Sequence, residues 1–238
     1  GYYHSHPGGS VAPSATDRAC ASGDGRIWGI VADGAIGWWR DGENGFDDTL
    51  ELSRLKPLNL YGKSKRDFDL WVEEQGLLGV PQPVQSVGFK FFNVFGPGEG
   101  HKGRMASMVW HGYHQILKEG TVRLFESHRP DYTHGGQLRD FIYVKDIVGA
   151  LAFAAANPAV AGTYNVGYGR KMTVKELAQE VIRLTGSSSK IEHKPARLGD
   201  VKHSLASADK LRAAGWSPRH TVAEGLDATV AYFRALKA

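Results

Sequence analysis

The sequence is poor in cysteine, in long apolar runs and in charge of one sign, and each deficit excludes a class of protein. Its single cysteine, Cys20, excludes an internal disulfide and predicts a reducing compartment, which we expect to be the cytoplasm. The longest apolar run, residues 147–156, is too short to span a bilayer and predicts a buried helix. The 29 basic and 25 acidic residues form no blocks typical of nucleic-acid binding.

Targeting and metal-binding motifs are also missing. The first residues have neither a basic flank nor an apolar stretch, so no signal peptide is visible. The lack of an initial methionine predicts a fragment or a processed start. None of the ten histidines has the spacing of a zinc motif such as H-E-x-x-H, so we predict no metal site. With 238 residues, 42% of them hydrophobic, the chain can bury a core as one domain or two small ones.

Two compositions are joined near residue 41. Residues 1–40 are rich in glycine and show no convincing period of 2 or 3.6 residues. From Asp41 onward, helix and strand signals alternate, which predicts βαβ units and a doubly wound parallel sheet. Capping boxes at Thr173 and Thr221 predict two further helices. The other predicted helices cover residues 61–78, 105–118 and 145–156, and the strands 84–94, 121–125, 139–144 and 162–167.

Tyr61 and Lys65 lie four residues apart in a predicted helix, so both side chains leave the same face. A nearby ammonium group lowers the pKa of a phenol because it favours the phenolate. The pair can therefore act as a general acid/base that takes a proton from a sugar hydroxyl. The alternative is a chance match of Tyr-x-x-x-Lys without a function.

A second set of candidates follows the predicted strand that ends at Asn93. An amide at this place lies where parallel sheets bind ligands, although an ordinary turn is the alternative. The next loop, residues 98–103, matches the dinucleotide pattern G-x-G-x-x-G. We reject that interpretation because Pro97 stiffens the turn and Glu99 puts a carboxylate where a pyrophosphate would lie. The loop instead presents Lys102, either as a proton donor and acceptor or as a solvated lysine.

A third cluster spans residues 124–146 and contains Arg139 at the start of a predicted strand. The planar donors of an arginine suit a phosphate or a ribose. An ion pair of Arg139 with Asp140 that ties two elements together is equally compatible with the spacing. His111 and Met108 lie on the helix after the Lys102 loop, where single positions of this kind usually pack.

Together these segments resemble one family. Tyr61-x-x-x-Lys65, Phe-Asn-Val-Phe-Gly-Pro, Arg-Asp-Phe-Ile-Tyr-Val-Lys-Asp and Thr-Tyr-Asn-Val-Gly are similar to motifs of extended short-chain dehydrogenases/reductases (the NAD-dependent epimerases/dehydratases) that act on nucleotide sugars. Residues 99–107 and 127–132 resemble the ADP-glycero-manno-heptose 6-epimerases, mainly through the loop Glu-Gly-His-Lys-Gly. The resemblance covers about residues 41–238.

The resemblance implies an α/β fold, with a partial Rossmann-like parallel sheet whose N-terminal βαβ units are missing and a smaller α/β substrate-binding domain. Residues 1–40 would form an atypical segment that does not match. Residues 41–94 and 139–186 would belong to the nucleotide-binding domain, and residues 95–138 and 187–238 to the substrate domain. A homo-oligomer is expected, with a nucleotide sugar as substrate and neither nucleic acid nor a membrane as partner.

The resemblance also implies a reaction and a role for individual residues. With a bound NADP, or NAD, C6 of ADP-glycero-manno-heptose would be oxidised transiently and reduced from the opposite face, in lipopolysaccharide core synthesis. Tyr61 and Lys102 would be the acid/base groups, and Lys65 would bind the nicotinamide ribose and tune Tyr61. The cofactor would also contact Val94 and Lys102, and the substrate would contact Asn93, Arg104, His111, Phe125, Glu126 and Arg139.

The chain departs from the family at two places. Arg104 stands where family members carry serine, and no Ser or Thr that could hold the substrate hydroxyl lies between Ser22 and Thr49. Only sixty residues precede Tyr61, whereas each βαβ unit needs roughly 30. Because the family's frame resumes near Asp41, we hypothesise that residues before it come from a frameshifted or foreign reading. An uninterrupted upstream frame that encodes only those forty residues in the source DNA would contradict the frameshift.

Two alternatives to the 6-epimerase remain open. One is another enzyme of the superfamily, a nucleotide-sugar 4-epimerase or 4,6-dehydratase, which product analysis with ADP-heptose, UDP-sugars and dTDP-sugars distinguishes. The other is an inactive truncated remnant, or an interaction module. The acidic or basic residue that selects between NAD and NADP after the second strand is absent from the sequence, so both cofactors are kept as candidates.

We predict that the chain binds its cofactor weakly, because no usable pyrophosphate-binding turn is found before Tyr61. Fluorescence titration of the purified chain with NADP and with NAD measures this affinity. An affinity equal to that of an intact epimerase would contradict the prediction.

Overall fold

The computed structural model describes residues 60–127, 132–195 and 207–236. Of Leu60 and Tyr61 it describes only the backbone. It also describes the backbone of four short strands outside these ranges. Three of these strands lie in the first forty residues. They are β1 (Tyr2–Ser5), β2 (Ile27–Ala32) and β3 (Ala35–Arg40). Strand β2 pairs with β1 in parallel and with β3 antiparallel. The atypical segment thus contains strands that its sequence pattern did not predict.

The helices begin and end close to the predicted positions. Thr173 and Thr221 each form the predicted capping box, and Gly120 and Gly186 end their helices with φ of 65° and 67°, which glycine adopts without strain. The helix predicted at residue 105 begins later, because residues 100–105 form a separate 3₁₀ helix. The described helices are α1 (Leu60–Leu77), α2 (Met108–Glu119), α3 (Val144–Ala156), α4 (Val174–Thr185), α5 (Asp209–Ala213) and α6 (Val222–Ala235).

The prediction of one strand over residues 84–94 is wrong, because the chain changes its pairing partner at Phe92. The first part, β4 (Val87–Phe91), pairs in parallel with β8 (Gly162–Val166). Phe92 then donates a last hydrogen bond to the carbonyl of Val166. The second part, β5 (Asn93–Phe95), pairs in parallel with β7 (Leu138–Tyr143). The parallel pairing itself agrees with the predicted α/β fold.

Strand β7 has two further partners. The strand β9 (Lys171–Thr173) pairs with it antiparallel, and β11 (His203–Ser204) pairs with it in parallel. A separate two-stranded parallel ribbon joins β6 (Thr121–Phe125), which lies where it was predicted, to β10 (Lys190–Lys194). Strands β9 and β10 were not predicted, because β9 has only three residues and β10 is largely exposed, so both carry little hydrophobic pattern.

The core has two parts that lie on opposite faces of β7. Because side chains alternate along a strand, Phe141 and Tyr143 face one cluster while Ile142 faces the other. Helices α2, α4 and α6 cover the first face, and α3 covers the second. A strand buried on both faces is typical of α/β sheets. Among the described helices, none is long and apolar enough to cross a membrane.

We predict that Leu226→Ala destabilises the fold by about 2–5 kcal/mol, because it leaves a cavity where α6 packs on the core. The side chain of Leu226 is 1% exposed, whereas that of Leu236, just after α6, is 68% exposed. The matched variant Leu236→Ala should therefore change the free energy of unfolding by less than about 0.5 kcal/mol. Urea unfolding of both variants measures the difference, and equal losses would contradict the assigned packing.

Candidate active site

Helix α1 carries both residues of the predicted Tyr-x-x-x-Lys pair, as expected from their spacing. The side chain of Tyr61 lies outside the described residues, and that of Lys65 is exposed. An ion pair between Asp69 of α1 and Lys90 of β4, both mostly buried, attaches the helix to the sheet. The fold therefore supplies the predicted helix, and the chemical role of the pair stays a prediction.

Asn93 begins β5 and does not end a strand, which corrects the position predicted for it. Its amide nitrogen Nδ2 donates a hydrogen bond of 2.9 Å to the backbone carbonyl of Asp140 on β7. Val94 follows it, and its side chain packs against the core cluster that α3 covers. The pairing of β5 with β7 thus brings the predicted substrate residues Asn93 and Arg139 onto neighbouring strands.

Asp140 lies on β7, and the sequence pattern assigned it no role apart from a pairing with Arg139. Its carboxylate is 1% exposed and accepts backbone N–H groups from Tyr168 at 2.8 Å and Gly169 at 2.7 Å. Arg212 donates to the carbonyl of Tyr168 at 2.7 Å and so closes the same turn. Burial raises the pKa of Asp140 to about 6, against the two backbone donors and Arg212, which lower it. The carboxylate ties β7 to the turn after β8.

Arg139 is 8% exposed, so its guanidinium is largely withdrawn from solvent. One of its nitrogens, Nη1, donates to the carbonyl of Leu138 at 2.9 Å. Asp140, its neighbour in sequence, faces the Tyr168–Gly169 turn. The contacts that tie two elements together here run from Asp140 to backbone groups, and they are not the ion pair with Arg139 that the spacing left open. Contact of Arg139 with a nucleotide sugar stays a prediction.

The loop after β5 agrees with the rejection of a dinucleotide fingerprint. Glu99 is buried, and its carboxylate accepts the N–H and the hydroxyl of Ser107 at 2.6 and 2.7 Å. A carboxylate thus occupies the N-terminus of α2, where a pyrophosphate would need free donors. Lys102 and Arg104 are exposed on the 3₁₀ helix between them. The loop presents its cations to solvent, which agrees with both interpretations of Lys102, and its acid/base role stays a prediction.

His111 lies one turn into α2 and is partly buried. Its Nε2 lies 3.4 Å from the carbonyl of Arg104, so it links the helix to the loop. The same ring lines an apolar gap between α2, α4 and β6. This position fits the packing reading of His111, and its contact with substrate stays a prediction.

Phe125 and Glu126 lie at the carboxyl end of β6, on the separate ribbon. Phe125 is partly exposed, and the backbone N–H of Glu126 donates to the carbonyl of Lys194 at 2.8 Å. The rings of His134 and His193 lie beside this end, with centroids 5.3 Å apart. This group lies on the β6–β10 ribbon, whereas Asn93 and Arg139 lie on the paired strands β5 and β7, so the predicted site residues are carried by two separate pairs of strands.

The residues predicted to contact a nicotinamide cofactor lie on α1 and β5, and their contact with it stays a prediction. Lys65 is exposed on α1, and Val94 lies on β5 next to the predicted substrate residue Asn93. Residues 98–103 offer no pyrophosphate cradle, because the carboxylate of Glu99 already takes the donors of Ser107. In the described part of the chain, no cluster of three or more His, Cys, Asp or Glu side chains could hold a metal ion.

A comparison with protein families identifies the larger part of the chain. Residues 28–167 match the NAD dependent epimerase/dehydratase family. The chain belongs to this family. Residues 1–41 match a different description, prokaryotic homologs of the JAB domain. The two matches overlap at residues 28–41, so the sequence relationship changes close to the change of composition near residue 41. Residues 28–40, which were predicted not to match, lie inside the epimerase/dehydratase match.

Relatives in the epimerase/dehydratase family include two proteins named ADP-L-glycero-D-manno-heptose-6-epimerase. One, from Nitratidesulfovibrio vulgaris, is 45% identical over 199 residues, which are 82% of this chain and 59% of that protein. Another, from Fusobacterium nucleatum, is 39% identical over 199 residues, which are 78% of this chain and 59% of that protein. The chain thus spans about three fifths of the length of these relatives.

Solved structures of the same fold include enzymes with different nucleotide sugars. The UDP-glucose 4-epimerase of Thermotoga maritima, with UDP-glucose, has a TM-score of 0.69 at 28% identity and covers 83% of this chain and 60% of its own. The ADP-L-glycero-D-manno-heptose-6-epimerase of Helicobacter pylori has a TM-score of 0.64 at 26% identity and covers 81% and 57%. The predicted Rossmann-like architecture is confirmed by these neighbours.

We predict that Asp140→Asn removes a pH dependence of stability. The pKa of Asp140 is raised from 3.8 to about 6 in the folded chain, so folding favours the neutral acid. Above pH 6 the ionised carboxylate lowers the stability of the folded chain, and this loss disappears as the pH falls through 6 towards 4. Relative to the variant, the wild type should therefore gain up to about 3 kcal/mol between pH 7 and pH 4. Urea unfolding of both proteins across this range measures it, and a constant difference would contradict the shifted pKa.

Proposed function

We propose that residues 60–236 provide the substrate-binding and acid/base part of an ADP-glycero-manno-heptose 6-epimerase. The observation that supports this most is the 45% identity, over 82% of the chain, to a relative of that name. Because the chain covers 59% of that relative, the activity proposed is that of the whole enzyme. We also propose NADP as the cofactor, with NAD possible, and lipopolysaccharide core synthesis as the process.

The proposed mechanism uses two acid/base groups on different elements. When bound, a nicotinamide cofactor supplies a reversible acceptor for the hydrogen at C6 of the heptose. Tyr61 on α1 takes the proton of the C6 hydroxyl, and Lys65 one turn later stabilises the phenolate. Lys102, exposed on the 3₁₀ helix, returns a proton when the opposite face is reduced. Epimerisation leaves the net oxidation state of the sugar unchanged.

Substrate binding is assigned to residues on three elements. Asn93 and Arg139 lie near the starts of the neighbouring parallel strands β5 and β7. Phe125 and Glu126, at the end of β6, would contact the nucleotide. Arg104 and His111, which lie next to each other, would complete the sugar site beside Lys102.

A second candidate, a nucleotide-sugar 4-epimerase, is favoured by the structural likeness to a UDP-glucose 4-epimerase, with a TM-score of 0.69. The two reactions use the same acid/base logic on different carbons, so the fold does not separate them. Product analysis separates them: the chain is incubated with ADP-glycero-manno-heptose, with UDP-glucose and with a dTDP-sugar, each in the presence of NADP or NAD. Inversion at C6 of the heptose alone supports the 6-epimerase, and inversion at C4 of UDP-glucose overturns it.

We predict that Lys102→Met lowers the rate of 6-epimerisation by at least about 100-fold, because it removes one of two acid/base groups. Lys118, near the end of α2, is also exposed and serves as the matched control. Lys118→Met should keep the wild-type rate. The rate is measured by separating the two 6-epimers after timed incubation. Equal rates for the two variants would exclude Lys102 from the chemistry.

A further inference from the structure

Glu99 is a buried carboxylate at the start of a loop in which residues 100–105 are exposed. It is 4% exposed, whereas His101, Lys102 and Arg104 are exposed. Its Oε2 accepts the backbone N–H of Ser107 at 2.6 Å, and its Oε1 accepts the hydroxyl of the same residue at 2.7 Å. Both oxygens are thus committed to a residue eight positions later, which closes the loop.

Capping of α2 does not by itself require this carboxylate. The hydroxyl oxygen of Ser107 already accepts the N–H of Trp110 at 3.2 Å and forms the helix cap. Burying a carboxylate is costly, and here the cost is offset by two short charge-assisted hydrogen bonds and by the positive end of α2. Beyond the cap, Glu99 therefore joins residues 99 and 107 and fixes the distance between the two ends of the loop.

The residue held by this closure is Lys102. The backbone carbonyl of Glu99 accepts the N–H of Lys102 at 3.0 Å, so one residue holds the lysine's backbone and closes the loop around it. Other contacts also hold parts of the loop: the N–H of Ala106 donates to the carbonyl of Gly103 at 3.2 Å, and Nε2 of His111 lies 3.4 Å from the carbonyl of Arg104. Neither of them joins residue 99 to residue 107, as the bonds of Glu99 to Ser107 do. Gly98 and Gly103, with φ of 83° and 53°, have open space around them, so packing does not hold the loop at either position.

We propose that Glu99 is the positioning residue of Lys102: its bonds to Ser107 hold the 99–107 loop in the shape that directs the lysine towards the nucleotide sugar. The substrate named here rests on the proposed function. The closure of the loop does not, since it is a property of the ligand-free chain. Two measurements therefore test the two parts separately.

The first measurement uses no ligand. In Glu99→Gln the charge is lost and one of the two acceptor oxygens becomes an NH2 group, so both charge-assisted bonds to Ser107 are weakened or lost and the loop should loosen. Acetylation of Lys102 by a limiting N-hydroxysuccinimide ester, quantified by mass spectrometry against Lys118, should change at least about threefold. Ser107→Ala should give the same change, and Ser107→Thr, which keeps the hydroxyl, should restore the wild-type ratio. Glu74→Gln, an exposed carboxylate on α1, is the control. An unchanged ratio in Glu99→Gln and Ser107→Ala overturns the proposal.

The second measurement is a double-mutant cycle on the affinity for ADP-glycero-manno-heptose, determined by calorimetry. Glu99→Gln should weaken binding about tenfold in the wild-type background, but less than about twofold when Lys102 is already methionine. Equal losses in both backgrounds would show that Glu99 does not act through Lys102, and would overturn its positioning role. If the wild-type chain does not bind this nucleotide sugar, the proposed function fails, and the acetylation ratio still decides whether Glu99 holds the loop.

Discussion

The buried carboxylate of Asp140 must find hydrogen-bond donors inside the protein, and several features of the site depend on that requirement. The carboxylate accepts hydrogen bonds from the backbone N–H groups of Tyr168 and Gly169. The backbone carbonyl of Asp140 accepts a further hydrogen bond from the side-chain amide of Asn93. A residue on β7 thus links β5 to the turn after β8. Because β7 is buried on both faces and paired with β5, β9 and β11, a displacement there would move each of them. The raised pKa of Asp140 records the cost of this burial.

Glu99, at the start of the 99–107 loop, is a second buried carboxylate that accepts hydrogen bonds inside the protein. Both carboxylates are buried, both bind backbone N–H groups, and both hold a loop that carries or neighbours predicted site residues. Functional residues of α/β enzymes lie on loops that a rigid scaffold positions. In this chain buried acidic side chains hold the loops by hydrogen bonds. This explains why a carboxylate lies in a stretch whose glycine pattern otherwise resembles a phosphate-binding loop.

Several local features around the candidate site were predictable from the sequence, and the pairing of its strands was not. The helix of Tyr61 and Lys65, the exposure of Lys102 and the carboxylate in the G-x-G-x-x-G stretch follow from local spacing and chemistry. The strand break at Phe92 does not, because either partner strand satisfies the same apolar pattern and only the pairing with β8 and then β7 decides it. The role of Asp140 was also missed, since its donors lie 28 and 29 residues away.

By itself the sequence determined the alternation of helices and strands, the capped helix starts at Thr173 and Thr221, the change near residue 41 and the family. These depend on propensities and motifs that act over a few residues. Only the tertiary structure decided which strands pair, that the two faces of β7 enclose separate core clusters, and what the buried carboxylates bind. Hydrogen bonds between residues distant in the chain carry no local signature, because their energy is realised only when both partners are already packed.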